Sequence, residues 1–340
     1  MTGHGGQGLD RRGFLTAGAA MGGLASLGMG AAAGPAFAAT RRIPGASIRG
    51  PYLDLTTPFG TMTGYARLSG NIDLESTTHG WYQGLVMGVA PGGAVRDICG
   101  FRGMSSYRLV ALPDGERGYR RLLREVVYYY DLKTGEVMDE MVNPFTGEKV
   151  RVVDIANDPF NHTIREYLGP PPNYGGLNPD QGPREPIPFL LDWQQDGDRL
   201  LTSRHIHLYY RSALQPDKWP RESAGENVQV SELFFFNISL DDMQNEELTT
   251  VRHGGTWTRV TPWLPWMLMG QAPGHCLYLG QMASVPTLAD VPEHIVRDTE
   301  RRHPEYLTAP DSDYGPNLSS LEMYALEQEP APVQEPASHE

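Results

Sequence analysis

The sequence predicts a mainly β protein: an antiparallel meander closing into a lipocalin-like or related β-barrel, with a Pro-rich lid and a C-terminal helix. Three observations support this. Strand-length apolar or alternating runs recur from Gly80 to Ser284. Glycine and Asn-Pro turn segments separate them at hairpin-like spacing. Strands and helices do not alternate as they do in a βαβ fold.

The chain has 340 residues and opens on an export signal. Arg11 and Arg12 precede Gly13-Phe14-Leu15 and an Ala/Gly-rich apolar run that ends in "AGPAFAAT". A charged start, a weakly hydrophobic middle and a small-x-small site are the marks of a twin-arginine signal. Cleavage is expected after Ala38, and the twin-arginine export machinery is the expected partner. Repeated glycine and Pro35 make the run a poor spanning helix, so no stable membrane anchor is expected. The expected location is periplasmic. Removing 38 of 340 residues leaves 302, within reach of one large domain. The expected division is a signal at 1–38, an extension at 39–64, one β-rich domain at 65–310, a short segment at 311–326 and a disordered acidic tail at 327–340.

Expected strands follow in chain order. Gly80–Val89, Ala94–Cys99 and Ser106–Ala111 come first. The run 121–155, "RLLREVVYYYDLKTGEVMDEMVNPFTGEKVRVVDI", then reads as a three-strand meander of Arg124–Leu132, Val137–Val142 and Lys149–Ile155. Its turns are "KTGE" and "NPFTGE", where Gly supplies positive φ and Asn-Pro starts the reversal. Residues 169–188, "GPPPNYGGLNPDQGPREPIP", are too rich in Pro and Gly for a regular element and read as a lid-like loop. Strands are expected again at Phe189–Gln194, Arg199–Arg211, Val228–Ile238, Thr249–Val260 and His275–Ser284. A helix is expected over 290–303, with Pro292 in its first turn and Pro304 stopping it.

Composition narrows the function. The net charge of −13 and the absence of a basic stripe argue against nucleic-acid binding. The two cysteines, Cys99 and Cys276, lie far apart and outside any C-x-x-C pattern, which leaves a disulfide open and favours small buried hydrophobes. There is no G-x-S-x-G, H-E-x-x-H, Walker loop or haem-attachment motif.

Four stretches carry candidate chemistry. In "SRHIHLYY" (203–210), His205 and His207 share one strand face with Tyr209 and Arg211. They are read as acid/base residues, as the wet face of a sheet, or as two ligands of a cupin-like metal site whose carboxylate is missing locally. In "VRVVDIANDPFNH" (150–162), Asp154 and Asp158 stand where a strand gives way to a Pro-containing loop, and His162 follows. This is turn chemistry, or a carboxylate–imidazole pair. In "LLREVVYYYD", Arg124, Tyr128 and Tyr130 share one row, while Glu125, Val127 and Tyr129 share the other. The first row, with Arg108, offers an anion site and phenols, or packing on a sheet. In "TPWLPWMLMGQAPGH", Trp263 and Trp266 sit among prolines that forbid a central strand, and form a cavity wall or a plug.

"GFRGMSSYR" (100–108), "LLREVVYYYDLKTGEVMDEMVNPFTGEKVRVVDIANDP" (122–159) and "TPWLPWMLMGQAPGHCLYL" (261–279) resemble the family known as domain of unknown function 1838. The resemblance covers most of 65–310. The double turn followed by "NDP" is its most specific part. It implies the limits of a domain and no activity.

The expected function is therefore an exported enzyme with an aromatic-lined cavity, working without a cofactor or metal. Its chemistry is of lyase, isomerase or hydrolase type, by proton transfer on a small apolar or aromatic molecule. A non-catalytic carrier using the same cavity is the alternative, and a cupin-like metalloenzyme the third option.

Overall fold

The computed structural model describes residues 41–170, 173–177, 179, 182, 185–313, 315 and 317–333. The expected export signal and the last seven residues of the expected tail lie outside the described residues. Residues 40–340 belong to one compact unit.

The first helix, α1 (Pro58–Leu68), starts where the Thr57 hydroxyl accepts the Gly60 amide and proline occupies the first turn. The strands follow: β1 (Thr78–Val89), β2 (Arg96–Ala111), β3 (Tyr119–Tyr130), β4 (Glu140–Val142), β5 (Lys149–Arg151), β6 (Ile155–Asn157), β7 (His162–Ile164), β8 (Tyr167–Leu168), β9 (Ile187–Pro188), β10 (Gln194–Asp196), β11 (Arg199–Arg211) and β12 (Asn227–Ser239). After the short α2 (Leu240–Met243) come β13 (His253–Thr261) and β14 (His275–Val285), then α3 (Glu293–Arg302) and α4 (Ser320–Glu327).

Ten strands make one sheet in the order β10-β11-β12-β13-β14-β1-β2-β3-β6, with β7 also on β3. All its ladders are antiparallel. The expected barrel does not form. The sheet is open, its ends are β10 at one edge and β6 with β7 at the other, and the fold combines this large antiparallel sheet with helices. The physical reason lies in the edges. β6, β7 and β10 are three residues each, and Pro159, which has no amide donor, separates β6 from β7. At one edge β10 covers only Arg199–Leu201 of β11, and at the other β6 and β7 already occupy β3, so the two edges do not pair with each other.

The open sheet is nevertheless curled. β3 and β12 stand five ladder steps apart, about 24 Å on a flat sheet. Yet Glu125 of β3 and Glu232 of β12 interact electrostatically, and Tyr210 near one edge lines the same recess as Ile155 at the other. Two paired glycines at mid-sheet permit the tight inner surface. A Cβ on Gly84 would sit 2.1 Å from the Leu279 carbonyl oxygen, and one on Gly280 2.6 Å from the Phe101 ring. Their absence lets Phe101 and Trp257 meet edge-on, with centroids 5.4 Å apart.

The outer face of β2 and β3 is covered by α3 and the segment after it. Trp81, Met104, Val126 and Tyr128 pack there with Ile295 and Tyr306. Arg102 and Asp298 pair at 2.6 Å beneath the helix, with side chains 9% and 5% exposed. One end of the inner face is capped by α1 and by Leu53 and Leu55, so residues expected in an extension belong to the core.

Other expectations shift in detail. β2 is one continuous strand where two were expected, and β10 begins only at Gln194. The meander over 124–155 is incomplete. β4 and β5 form a separate two-stranded sheet joined to β3 by one isolated bridge, Tyr130 to Val137, and it is β6 that pairs with β3. Its turns are as expected, with Gly135 at φ 72° and Gly147 at φ 74°. The start of the tail is held rather than free: the Ala331 amide donates to Glu222, and Arg221 donates to the Pro332 carbonyl.

Candidate functional site

Strand parity sorts β3 into two surfaces. Arg121, Leu123, Glu125, Val127 and Tyr129 face the inside of the curl, and Arg120, Leu122, Arg124, Val126 and Tyr128 face out. Val127 and Tyr129 lie in a core cluster with Phe101, Trp257 and Tyr278, which fixes the inward direction. Glu125 is therefore a carboxylate in an apolar row. It accepts one hydrogen bond, from Asn157 Nδ2 at 3.3 Å. Burial, and then the nearby Glu232 carboxylate, push its carboxyl up to about 7. Asn157, Arg259 and Arg121 hold it back from rising further.

Glu232 stands directly opposite Arg259 in the β12–β13 ladder, and the two pair at 3.5 Å. Burial is the largest influence and works against the charge on Arg259, but Glu232 together with Tyr278, Tyr210 and Tyr129 outweighs it, and the guanidinium is held more firmly protonated than usual. The two side chains are only 20% and 21% exposed. Two carboxylates thus share one interior with unequal surroundings. Glu232 has its own cation, and Glu125 has an amide and a neighbouring negative charge. Such a division suits Glu125 to give and take a proton near neutral pH.

Aromatic side chains surround this pair. Tyr82 donates to the Val126 carbonyl at 3.1 Å, and the Tyr129 and Tyr278 hydroxyls meet at 2.8 Å. Trp257 stacks on Phe234. Arg259 also borders a recess whose lining includes Tyr129, Tyr210, Trp263 and Trp266. Leu321 and Tyr324 of α4 close over it, where the open sheet leaves a gap between its edges.

The residues singled out by sequence fall in different places. His205, His207, Tyr209 and Arg211 lie on the outer face and are exposed, Tyr209 at 72%. His207 Nδ1 contacts Ser231 Oγ at 3.0 Å. Of the three readings left open for the histidine row, the structure matches the wet face of a sheet and sets these side chains apart from the interior. The alternate row, Leu200, Thr202, Arg204, Ile206, Leu208 and Tyr210, is the more apolar and packs inward. Arg108, Arg124, Tyr128 and Tyr130 also belong to outward rows. Arg124 binds the Glu305 carbonyl at 2.8 Å and Asp158 at 3.3 Å. Tyr128 is fully buried and stacks on His303, and the Arg102 guanidinium lies over Tyr130 at 4.9 Å. None of these four reaches the inner face.

Asp154 and His162 do not converge. Asp154 accepts from Arg302 at 2.7 Å and lies 3.6 Å from His303. His162 is opposite Arg121 on the inner face, where burial and then Arg121 and Arg204 push it down to about 3. Trp263 and Trp266 do stand on the recess wall, with Trp263 Nε1 donating to the Ala272 carbonyl at 2.9 Å. Cys99 and Cys276 are free and buried, and burial raises both thiols, Cys276 to about 12. Among the described residues, no group of three or more His, Cys, Asp or Glu side chains is placed to hold a metal ion.

Sequence reasoning passed over Glu125, Glu232 and Arg259. Their common signal is a charged residue inside an otherwise apolar alternating row, as in Val230-x-Glu232-x-Phe234. No curated protein matches the chain. Residues 75–327 match a family model described as Protein of unknown function (DUF1838), and with that match covering well over half its length the chain belongs to this family.

Proposed function

We propose that this protein is an enzyme that moves protons on a small apolar or aromatic molecule, with Glu125 as the acid/base and the Glu232–Arg259 pair holding the field around it. The observation that carries this reading is that two carboxylates from strands five ladder steps apart lie close enough to act on each other inside the curl, and of the two only Glu232 has an arginine ion pair among the described residues. A carboxyl near 7 is half-protonated at neutral pH, where general acid/base catalysis is most effective. The aromatic surroundings fit an apolar substrate and exclude competing water. Lyase, isomerase and hydrolase chemistry all begin with such a transfer. The test is exchange: a panel of small aromatic and apolar carbonyl compounds is incubated with the protein in D₂O. Deuterium entering a C–H position of at least one compound is expected. A panel whose members bind without any exchange, and whose ester members are not hydrolysed, would leave a carrier as the better reading.

We also propose twin-arginine export to the periplasm. The Arg11-Arg12 pair supports it, and no described helix is long and apolar enough to cross a membrane. Replacing both arginines with lysine is expected to leave unprocessed chain in the cytoplasm. Normal periplasmic accumulation of that double variant would count against the route.

A further inference from the structure

We propose that Arg121 and Arg204 form an anion subsite at the α1 end of the same interior, so that the substrate is an aromatic or apolar carboxylic acid. This rests on the acid/base reading above and names the substrate class for it.

Arg121 shares the inward row of β3 with Glu125, four residues away, about 13 Å along the strand. Its guanidinium lies 3.8 Å over the Tyr107 ring, and its Nε is buried without a hydrogen-bond partner. Arg204 comes from the inward row of β11, across the gap between the sheet edges. It donates to the Tyr65 hydroxyl of α1, and its guanidinium lies 5.0 Å over the Tyr65 ring. Both guanidiniums act on the same two neighbours, Tyr65 and His162. Burial is the largest influence and would raise the Tyr65 phenol, yet Arg204, Arg121 and a hydrogen bond with Ser69 together bring it below its ordinary value. No described carboxylate pairs with either arginine, whereas Arg102, Arg120, Arg259 and Arg302 each have one.

Two half-buried cations that share an interior, neither in ion-pair contact with a described carboxylate, call for an anion from outside. A carboxylate suits them, because its two oxygens match the guanidinium fork. The nearby Glu125 and Glu232 disfavour a more highly charged head. An acid anchored here would lay its apolar body along the Tyr82 and Trp257 surface toward Glu125.

The test is a titration of the full chain with 3-phenylpropanoate and with its neutral counterpart 3-phenylpropanamide, at low salt, by calorimetry. The acid is expected to bind roughly ten- to a hundredfold tighter. Arg204→Gln and Arg121→Gln should each remove that preference, and Glu125→Gln should keep it. Should Arg121→Gln fail to fold, the half-buried Arg204 decides alone. Equal affinity for acid and amide, no binding of either, or a preference surviving in Arg204→Gln would overturn the subsite. The comparison involves no turnover, so it separates the two proposals. Exchange in neutral compounds without acid preference sinks only the subsite. Acid preference without exchange in any compound sinks only the acid/base role.

Discussion

Glu125→Gln is expected to lower deuterium exchange into a bound substrate by about 10²- to 10⁴-fold, the usual share of a positioned general acid or base. The substitution keeps the shape of the side chain and removes its proton chemistry. A glutamine amide can still meet Asn157, whose Oδ1 is buried without a partner. Binding of an inert ligand should therefore change little, and the loss should fall on the rate. Asp and Gln variants at the solvent-facing His205 and His207 should leave the rate within about twofold, as surface changes do. Retention of wild-type exchange by Glu125→Gln would remove this residue from the chemistry.

The second large effect runs in the opposite direction. The ordinary glutamate value is 4.5, and folding raises Glu125 to about 7, burial being the main cause and Glu232 the next. Between those two values the folded chain holds a proton that the unfolded chain has released. Stability therefore falls as pH rises through this window and stays low above it. Glu125 keeps some contact with water, so the effect is on the order of 2 kcal/mol at pH 8. Glu125→Gln should be more stable than the wild type by about that amount at pH 8, and equal to it below pH 4.5. Denaturant midpoints at the two pH values measure this. A less stable glutamine variant at pH 8 would mean that the ionised carboxylate supports the fold.

Much of the local structure was legible in the sequence. "KTGE" and "NPFTGE" form their turns because glycine alone takes φ near +70° without strain, and that requirement is local. β11 and β14 were placed within a residue because their alternation is strict. The closure of the sheet was not legible. It depends on whether β10 can meet β6, and the break at Pro159 shows its consequence only once the register onto β3 is known.

The same limit explains the candidate site. Alternation divides β3 into two rows but does not say which one faces in. Tyr128 and Tyr129 are both fully buried, one under α3 and one inside the curl. A sheet covered on both faces hides the distinction that a half-exposed strand would reveal. The polar row of β11, with His205 and His207, attracted attention by residue type, yet it faces solvent. Glu125 and Glu232 drew none, because their chemistry comes from a long-range meeting that neither strand encodes alone.

The central claim is that Glu125 shares an enclosed interior with Glu232 and carries a proton near neutral pH. A ¹³C NMR titration of glutamate side-chain carboxyls in the full chain, with Glu125→Gln as the assignment control, measures it directly. One resonance titrating at about 7 and absent from Glu125→Gln is the result this account predicts. A Glu125 resonance titrating between about 4 and 5, like an ordinary exposed glutamate, would contradict it.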